Sequence, residues 1–208
     1  MYVDNYISDR NINDYKFMIF DLETNGLPTN KKLSWKWTNN WPFILQISWG
    51  IYNINGRCLK FRNYIIKQHV VLNDSSTRIH NITTYKINKY GIASNKIMKQ
   101  FHNDLNNTTH IISHNMHFDK NTLFAELCRS NRYDTINSFE TKVHICTMLA
   151  TIDYCRLHNG RYNKWPKLEE LYYKIFKRQM TNKHNAEFDV KNLSKCFFYL
   201  IKNEIIRF

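Results

Sequence analysis

The sequence predicts an α/β fold in which an antiparallel meander of strands leads into alternating strands and helices, and three stretches carry that prediction. Phe17 to Thr24 is an apolar run of strand length. Two further apolar runs, Phe43 to Tyr52 and Leu59 to Ile66, are separated by Asn55-Gly56, the strongest short signal for a tight hairpin. The β-branched run Thr109 to Ser113 then passes at once into a helical pattern with Leu123, Phe124 and Leu127 on one face.

The remaining elements follow in order. Gly26, Leu27 and Pro28 end the first strand, and a polar loop from Thr29 to Asn40 interleaves Lys31, Lys32 and Lys36 with Trp35 and Trp37. That mixture suits single-stranded nucleic acid, with cations on phosphates and indoles on bases, and it equally suits a loop that folds its aromatics inward. Thr83 opens a short helix to Tyr90, and Ile97, Met98, Phe101 and Leu105 mark an amphipathic helix within Ser94 to Asn107. Val143 to Cys146 is a last short strand, Thr147 to Leu157 a helix and His158 to Trp165 a basic loop. Pro166 is expected at the first position of the next helix. The final helix presents Leu193, Phe197, Leu200 and Ile201. Residues 1–16 are expected to be a polar extension and residues 17–208 one domain.

Composition narrows the function. Lys and Arg number 30 against 17 Asp and Glu, and a net charge of +13 points to a polyanionic partner, nucleic acid before an anionic membrane surface. No stretch approaches the length of a membrane span and the first 14 residues lack an apolar signal region, so an intracellular, soluble protein is expected. The five cysteines are scattered and never form a Cys-x-x-Cys pair, which argues against a disulfide framework and a thiolate zinc site.

The first strand carries the chemistry. Side chains alternate faces along a strand, so Asp21 and Glu23 project from the same side. Paired carboxylates repel unless a cation neutralises them, and hard oxygen ligands suit Mg²⁺ or Mn²⁺. The alternative is an edge strand whose polar face is acidic. Asp119 lies in the first turn of a helix directly after a strand, where the helix dipole favours a carboxylate. His110, His114 and His117 have a zinc-like spacing, but a strand followed by a helix turn cannot bring them onto one face.

Asp21-x-Glu23, Asp119 after Asn115, and His184 followed at fixed spacing by Asp189 together resemble the motifs of the DEDDh, or DnaQ-like, 3′–5′ exonucleases. Asp21 to Pro28, Asn40 to Ser48, Ile79 to Thr83 and Lys164 to Leu171 are similar to segments of the same family. Two departures stand out, Asn25 for a more usual Thr and Asn81 for a more usual Gly. The resemblance implies a ribonuclease H-like fold, a mixed sheet with helices on both faces. It implies two divalent ions, Mg²⁺ or Mn²⁺, bound by Asp21, Glu23, Asp119 and Asp189, with His184 as general base. The same resemblance sets Leu22, Thr24, Leu27, His80, Ile82, Asn115 and Phe118 against the substrate, with Leu27 wedged against the terminal base. The expected reaction releases nucleoside 5′-monophosphates from the 3′ ends of single-stranded DNA. RNA trimming, proofreading beside a polymerase, and an inactive nucleic-acid-binding module are the alternatives, with a monomer or a homodimer equally open.

Overall fold

The computed structural model describes residues 14–160 and 162–207. Most of the 1–16 extension therefore lies outside the described residues, and Lys16 itself already belongs to the first strand. Six strands form one sheet in the order β4-β3-β2-β1-β5-β6. They are β1 (Lys16–Thr24), β2 (Ile44–Asn53), β3 (Cys58–Lys67), β4 (Ile92–Ala93), β5 (His110–Ser113) and β6 (Val143–Cys146). β1, β2 and β3 are antiparallel, whereas β5 runs parallel to β1 and to β6, and β4 parallel to β3. The β2–β3 hairpin turns at Gly56, whose φ of 75° is open to glycine and strained for most residues. The mixed sheet expected from the resemblance is present.

Alternation along β1 sets the two layers. Met18, Phe20 and Leu22 enter one core together with residues of α3 (Ser94–Leu105), α4 (Met116–Arg129) and α5 (Tyr133–Glu140). Phe17 and Ile19 enter the opposite core, against α8 (Leu168–Phe176) and α9 (Ala186–Lys202). Asp21 and Glu23 continue the Phe17–Ile19 row beyond the point where that core closes.

Several expectations are corrected locally. The helix expected over Thr147 to Leu157 is broken into α6 (Thr147–Ala150) and α7 (Ile152–Cys155). At the break the Thr151 hydroxyl donates to the Thr147 carbonyl at 2.7 Å, taking the acceptor an unbroken helix would use. Pro166 lies before α8 rather than at its first position, since Lys167 is the N-cap and its N–H is held by Glu170 at 2.8 Å. The loop before it, His158 to Trp165, includes a small hairpin of β7 (His158–Asn159) and β8 (Tyr162–Asn163). Helices α1 (Asp74–His80) and α5 are additions to the elements expected, whereas α2 (Thr84–Tyr90) starts after Thr83 as expected.

Polar residues fix the periphery. Asp104 of α3 accepts from Trp49 Nε1 at 3.0 Å, Arg62 Nε at 2.8 Å and Lys60 Nζ at 2.6 Å, tying the helix to β2 and β3. Burial pushes its carboxyl up, but these donors outweigh it and hold the group below the ordinary range. Arg129 donates to the carbonyls of Thr38 and Trp41, both at 2.6 Å, and its guanidinium lies 3.9 Å over the Phe43 ring. The 29–40 loop is thereby anchored, and Trp35 packs edge-on against Phe124 with ring centroids 5.5 Å apart. Trp35 is thus a core-edge residue, whereas Trp37 stays exposed. All five cysteines are free, and among the described residues no helix is long and apolar enough to cross a membrane.

Asp104→Ala leaves a buried indole N–H without an acceptor, and urea unfolding should show a loss of about 2–3 kcal/mol. A loss under about 0.5 kcal/mol would mean that the ion cluster does not hold α3.

Candidate active site

Where β1 ends, its register against β2 shifts between Glu23 and Thr24, and the strand's acidic face opens into a cleft of about 500 Å³. Asp21 and Glu23 enter it from β1, Asp119 from the first turn of α4, and Asp189 from the first turn of α9. Carboxylate oxygens of Asp21, Glu23 and Asp189 lie within 4.8 Å of one another. Asp119 stands outside that tight set but shares the cleft, and its charge reaches both β1 acids.

This arrangement is costly as it stands. Burial, then the charges of Asp189, Asp119 and Glu23, raise Asp21 well above the usual carboxylate range. Burial followed by Asp189 and Asp119 takes Glu23 to about 8, and burial takes Asp119 and Asp189 each to about 7. Lys183, a nearby cation, is already paired with Glu169. Asp189 Oδ2 accepts the His184 N–H at 3.0 Å, but its Oδ1 is buried without a hydrogen-bond partner. An unpaired, buried oxygen amid mutually repelling carboxylates fits a hard divalent cation.

His184 lies on the rim of the cleft, exposed, in the left-handed region at φ 63°. Partial desolvation at the cleft rim, together with Lys183 and Lys167, holds the imidazole below its ordinary value against the opposing pull of Glu169. It is therefore neutral and able to accept a proton at neutral pH.

The expected substrate residues divide. Leu22, Asn115 and Phe118 line the carboxylate cleft. Leu27 lines a second, mainly apolar cleft of about 480 Å³ that shares Asn115, Phe118, Met148 and Trp165 with the first and reaches Lys31. Thr24, His80 and Ile82 are buried and line neither. The Thr24 hydroxyl bonds to the Gly26 carbonyl at 2.7 Å. His80 Nδ1 accepts from the Ile82 N–H at 3.0 Å, so its Nε2 carries the proton and donates to the Thr24 carbonyl at 3.2 Å. His80 therefore braces the end of β1 from behind rather than touching substrate.

Both departures from the family pattern have local reasons. Asn81 adopts φ 57° as the left-handed cap of α1, the conformation a glycine would supply there. Asn25 accepts from the Phe43 N–H at 2.8 Å and donates to the Val71 carbonyl at 3.2 Å, clamping the turn that carries Leu27.

The cleft has walls that the motifs did not mark. Trp165 and Pro166 form one, and His114 pins it: Nε2 donates to the Pro166 carbonyl at 2.9 Å and Nδ1 accepts from the Thr147 hydroxyl at 3.0 Å. Burial depresses this imidazole to about 4, so the neutral form persists. The zinc-like histidine spacing thus gathers no site; among the described residues the one metal-competent group is Asp21, Glu23 and Asp189. The similarity of the Lys164 to Leu171 segment is the available signal for this wall and for Glu169, whereas Met180 and Lys183 join the cleft only through folding.

Three solved structures with this architecture are nucleases. The zinc-bound complex of E. coli exonuclease I with single-stranded DNA matches with a TM-score of 0.70 at 16% identity, over 91% of this chain and 41% of that one. Exonuclease X in complex with 5′-overhanging duplex DNA matches at 0.59 and 16% identity, over 92% of this chain and 94% of that one. A 3′-exonuclease described for 3′-end specific recognition of histone mRNA stem-loop matches at 0.67 and 11% identity, over 90% and 82% of the respective chains. This chain spans about 41% of the length of exonuclease I. No family model matches the sequence, and no curated protein does. The likeness is one of fold, a ribonuclease H-like mixed sheet flanked by helices.

The raised carboxyls make a pH-dependent prediction. Groups whose folded values lie near 7 and 8 cost the fold stability as pH rises from the ordinary carboxylate range through those values, and a bound cation removes that cost. Mg²⁺ or Mn²⁺ should therefore raise Tm, by more at about pH 8 than at about pH 6, and EDTA should reverse the gain. Equal shifts at both pH values, or the same shift in Asp21→Ala, would place the ion elsewhere.

Proposed function

We propose that the chain is a 3′–5′ exonuclease of the DEDDh type that hydrolyses single-stranded nucleic acid, DNA in preference to RNA, and releases nucleoside 5′-monophosphates. The observation that carries the reading is the cluster of Asp21, Glu23 and Asp189 with Asp119 in the same cleft, without an ion pair to any Lys or Arg among the described residues and beside a neutral histidine. Asp21, Glu23, Asp119 and Asp189 would hold the ions, with Asp21, on the central strand, at the heart of the set. When bound there, two divalent ions would supply a water acidic enough to ionise near neutral pH and stabilise charge on the leaving 3′ oxygen.

The chain's own residues do the rest. His184 takes the proton of the water that attacks the terminal phosphorus, and as the new P–O bond forms the bond to the 3′ oxygen breaks, leaving a shortened strand with a 3′ hydroxyl. Leu22, Asn115 and Phe118 surround the terminal nucleotide. The second cleft, apolar apart from Lys31, Asn115 and His117 and without a carboxylate, suits the unpaired bases that precede it. The net charge of +13 favours a polyanion over most other substrates.

RNA is the second reading, favoured by the likeness to the 3′-exonuclease described with histone mRNA stem-loop. Against an inactive binding module stands the acidic cluster itself, which would repel phosphate if no cation were held.

The test is product analysis on 5′-labelled single-stranded DNA and RNA of one sequence, with Mg²⁺, Mn²⁺ or EDTA. A ladder shrinking from the 3′ end only with metal, and faster on DNA, supports the proposal; intact polymers under all conditions overturn it. Asp21→Ala and Asp189→Ala should abolish turnover. His184→Ala should lower kcat by about 10²- to 10⁴-fold and keep the metal-induced Tm shift; loss of that shift would make His184 a ligand. Trp165→Ala and Lys31→Glu should each raise KM about 10-fold for strands of about 20 nucleotides. An unchanged KM in both would remove the second cleft from the strand's path.

A further inference from the structure

Beside the carboxylates lies a polar floor with no assigned role. Gln46 stands opposite Glu23 and Ser48 opposite Asp21 in the β1–β2 register, and Asn63 of β3 stands opposite Ser48. Residues paired across a ladder share a face, so this row borders the acidic one. Gln46 is buried, and both ends of its carboxamide are engaged. Nε2 donates to Asn63 Oδ1 at 2.8 Å and to Asn185 Oδ1 at 3.4 Å, while Oε1 accepts the Ala186 N–H at 3.4 Å. A backbone N–H only donates, and this fixes which end of the amide faces α9. Asn63 Oδ1 also accepts the Ser48 hydroxyl at 2.7 Å, and its Nδ2 donates to Glu187 at 3.0 Å.

Most of these bonds lead to the first turn of α9. Asn185 caps the helix by accepting the Glu187 N–H at 3.1 Å, and its carbonyl accepts the Asp189 N–H at 2.9 Å. Its neighbour His184 holds a backbone conformation that non-glycine residues keep only where their surroundings impose it.

We infer that Gln46, locked by Asn63, is a positioning residue that sets the turn carrying His184 and Asp189 against Asp21 and Glu23. It takes no part in the chemistry. Its effect on turnover rests on the exonuclease reading above; its effect on the turn does not. The carboxamide is specific to the task. Leu at this position would fill a similar volume and leave the Ala186 N–H and two amide oxygens with fewer partners, and Glu could not donate and would add charge to the cluster.

Gln46→Leu tests this through two independent readouts, turnover and local hydrogen exchange. In Gln46→Leu, kcat on labelled single-stranded DNA should fall about 10- to 100-fold with KM within about two-fold of the parent. In the metal-free protein, amide hydrogen exchange over residues 184–189 should quicken at least about 10-fold while β1 stays protected. Parental kcat in Gln46→Leu, or exchange that quickens across the whole chain alike, would each overturn the inference. If the parent chain itself degrades no nucleic acid, the functional reading fails, and the exchange pattern alone decides the positioning.

Discussion

Four carboxylates meet where β1 leaves the sheet, and burial and mutual repulsion drive all of them toward protonation. Much of the surrounding structure holds them together against that cost. β1 itself is immobilised by apolar cores on both faces, so Asp21 and Glu23 cannot separate without dragging Phe17 to Leu22 out of register. Asp119 and Asp189 arrive on helix first turns, where unpaired backbone N–H groups favour negative charge. Repulsion stored this way is what makes a site selective for a small, highly charged cation over the single charge of a lysine.

The parts legible in the sequence are those governed by local rules. Alternation placed Asp21 and Glu23 on one face because period two is intrinsic to a strand, and the Asn55-Gly56 turn and the α3 and α4 periodicities are equally local. Only the resemblance to the DEDDh motifs, and no local rule, implied that Asp119, His184 and Asp189 belong to one site, and the three share a cleft. What escaped was decided by tertiary partners. Pro166 fails to start α8 because its carbonyl is claimed by His114 from another strand end. His80 and Ile82, expected against substrate, face inward because the His80 ring is spent on two backbone groups. Trp35 turned to Phe124, a contact 89 residues away that its own loop does not announce.

Histidines illustrate how one residue type divides its work here. His80 and His114 are buried with each ring nitrogen committed, one bracing Thr24 and the other pinning Pro166 to Thr147. Both are held in the neutral form by burial, so they act as fixed struts over the pH range in which the protein would work. His184 alone of the three has an exposed ring at the carboxylate cleft. Proton transfer requires access and a free lone pair, and the other two lack both.

The rigid and adjustable halves of the site are therefore different in kind. Asp21 and Glu23 belong to a strand packed on both faces, whereas His184 and Asp189 depend on a single turn, held by a left-handed residue, an Asn cap and a carboxamide from the sheet. A sheet fixes position through many small packing contacts, and no single one of them matters much. A turn fixed by a few directional hydrogen bonds is sensitive to each of them. The chemistry asks for both, since charge must be concentrated without relaxing and the base must still meet an arriving strand. The polar row of Gln46, Ser48 and Asn63 is where the first property is passed to the second.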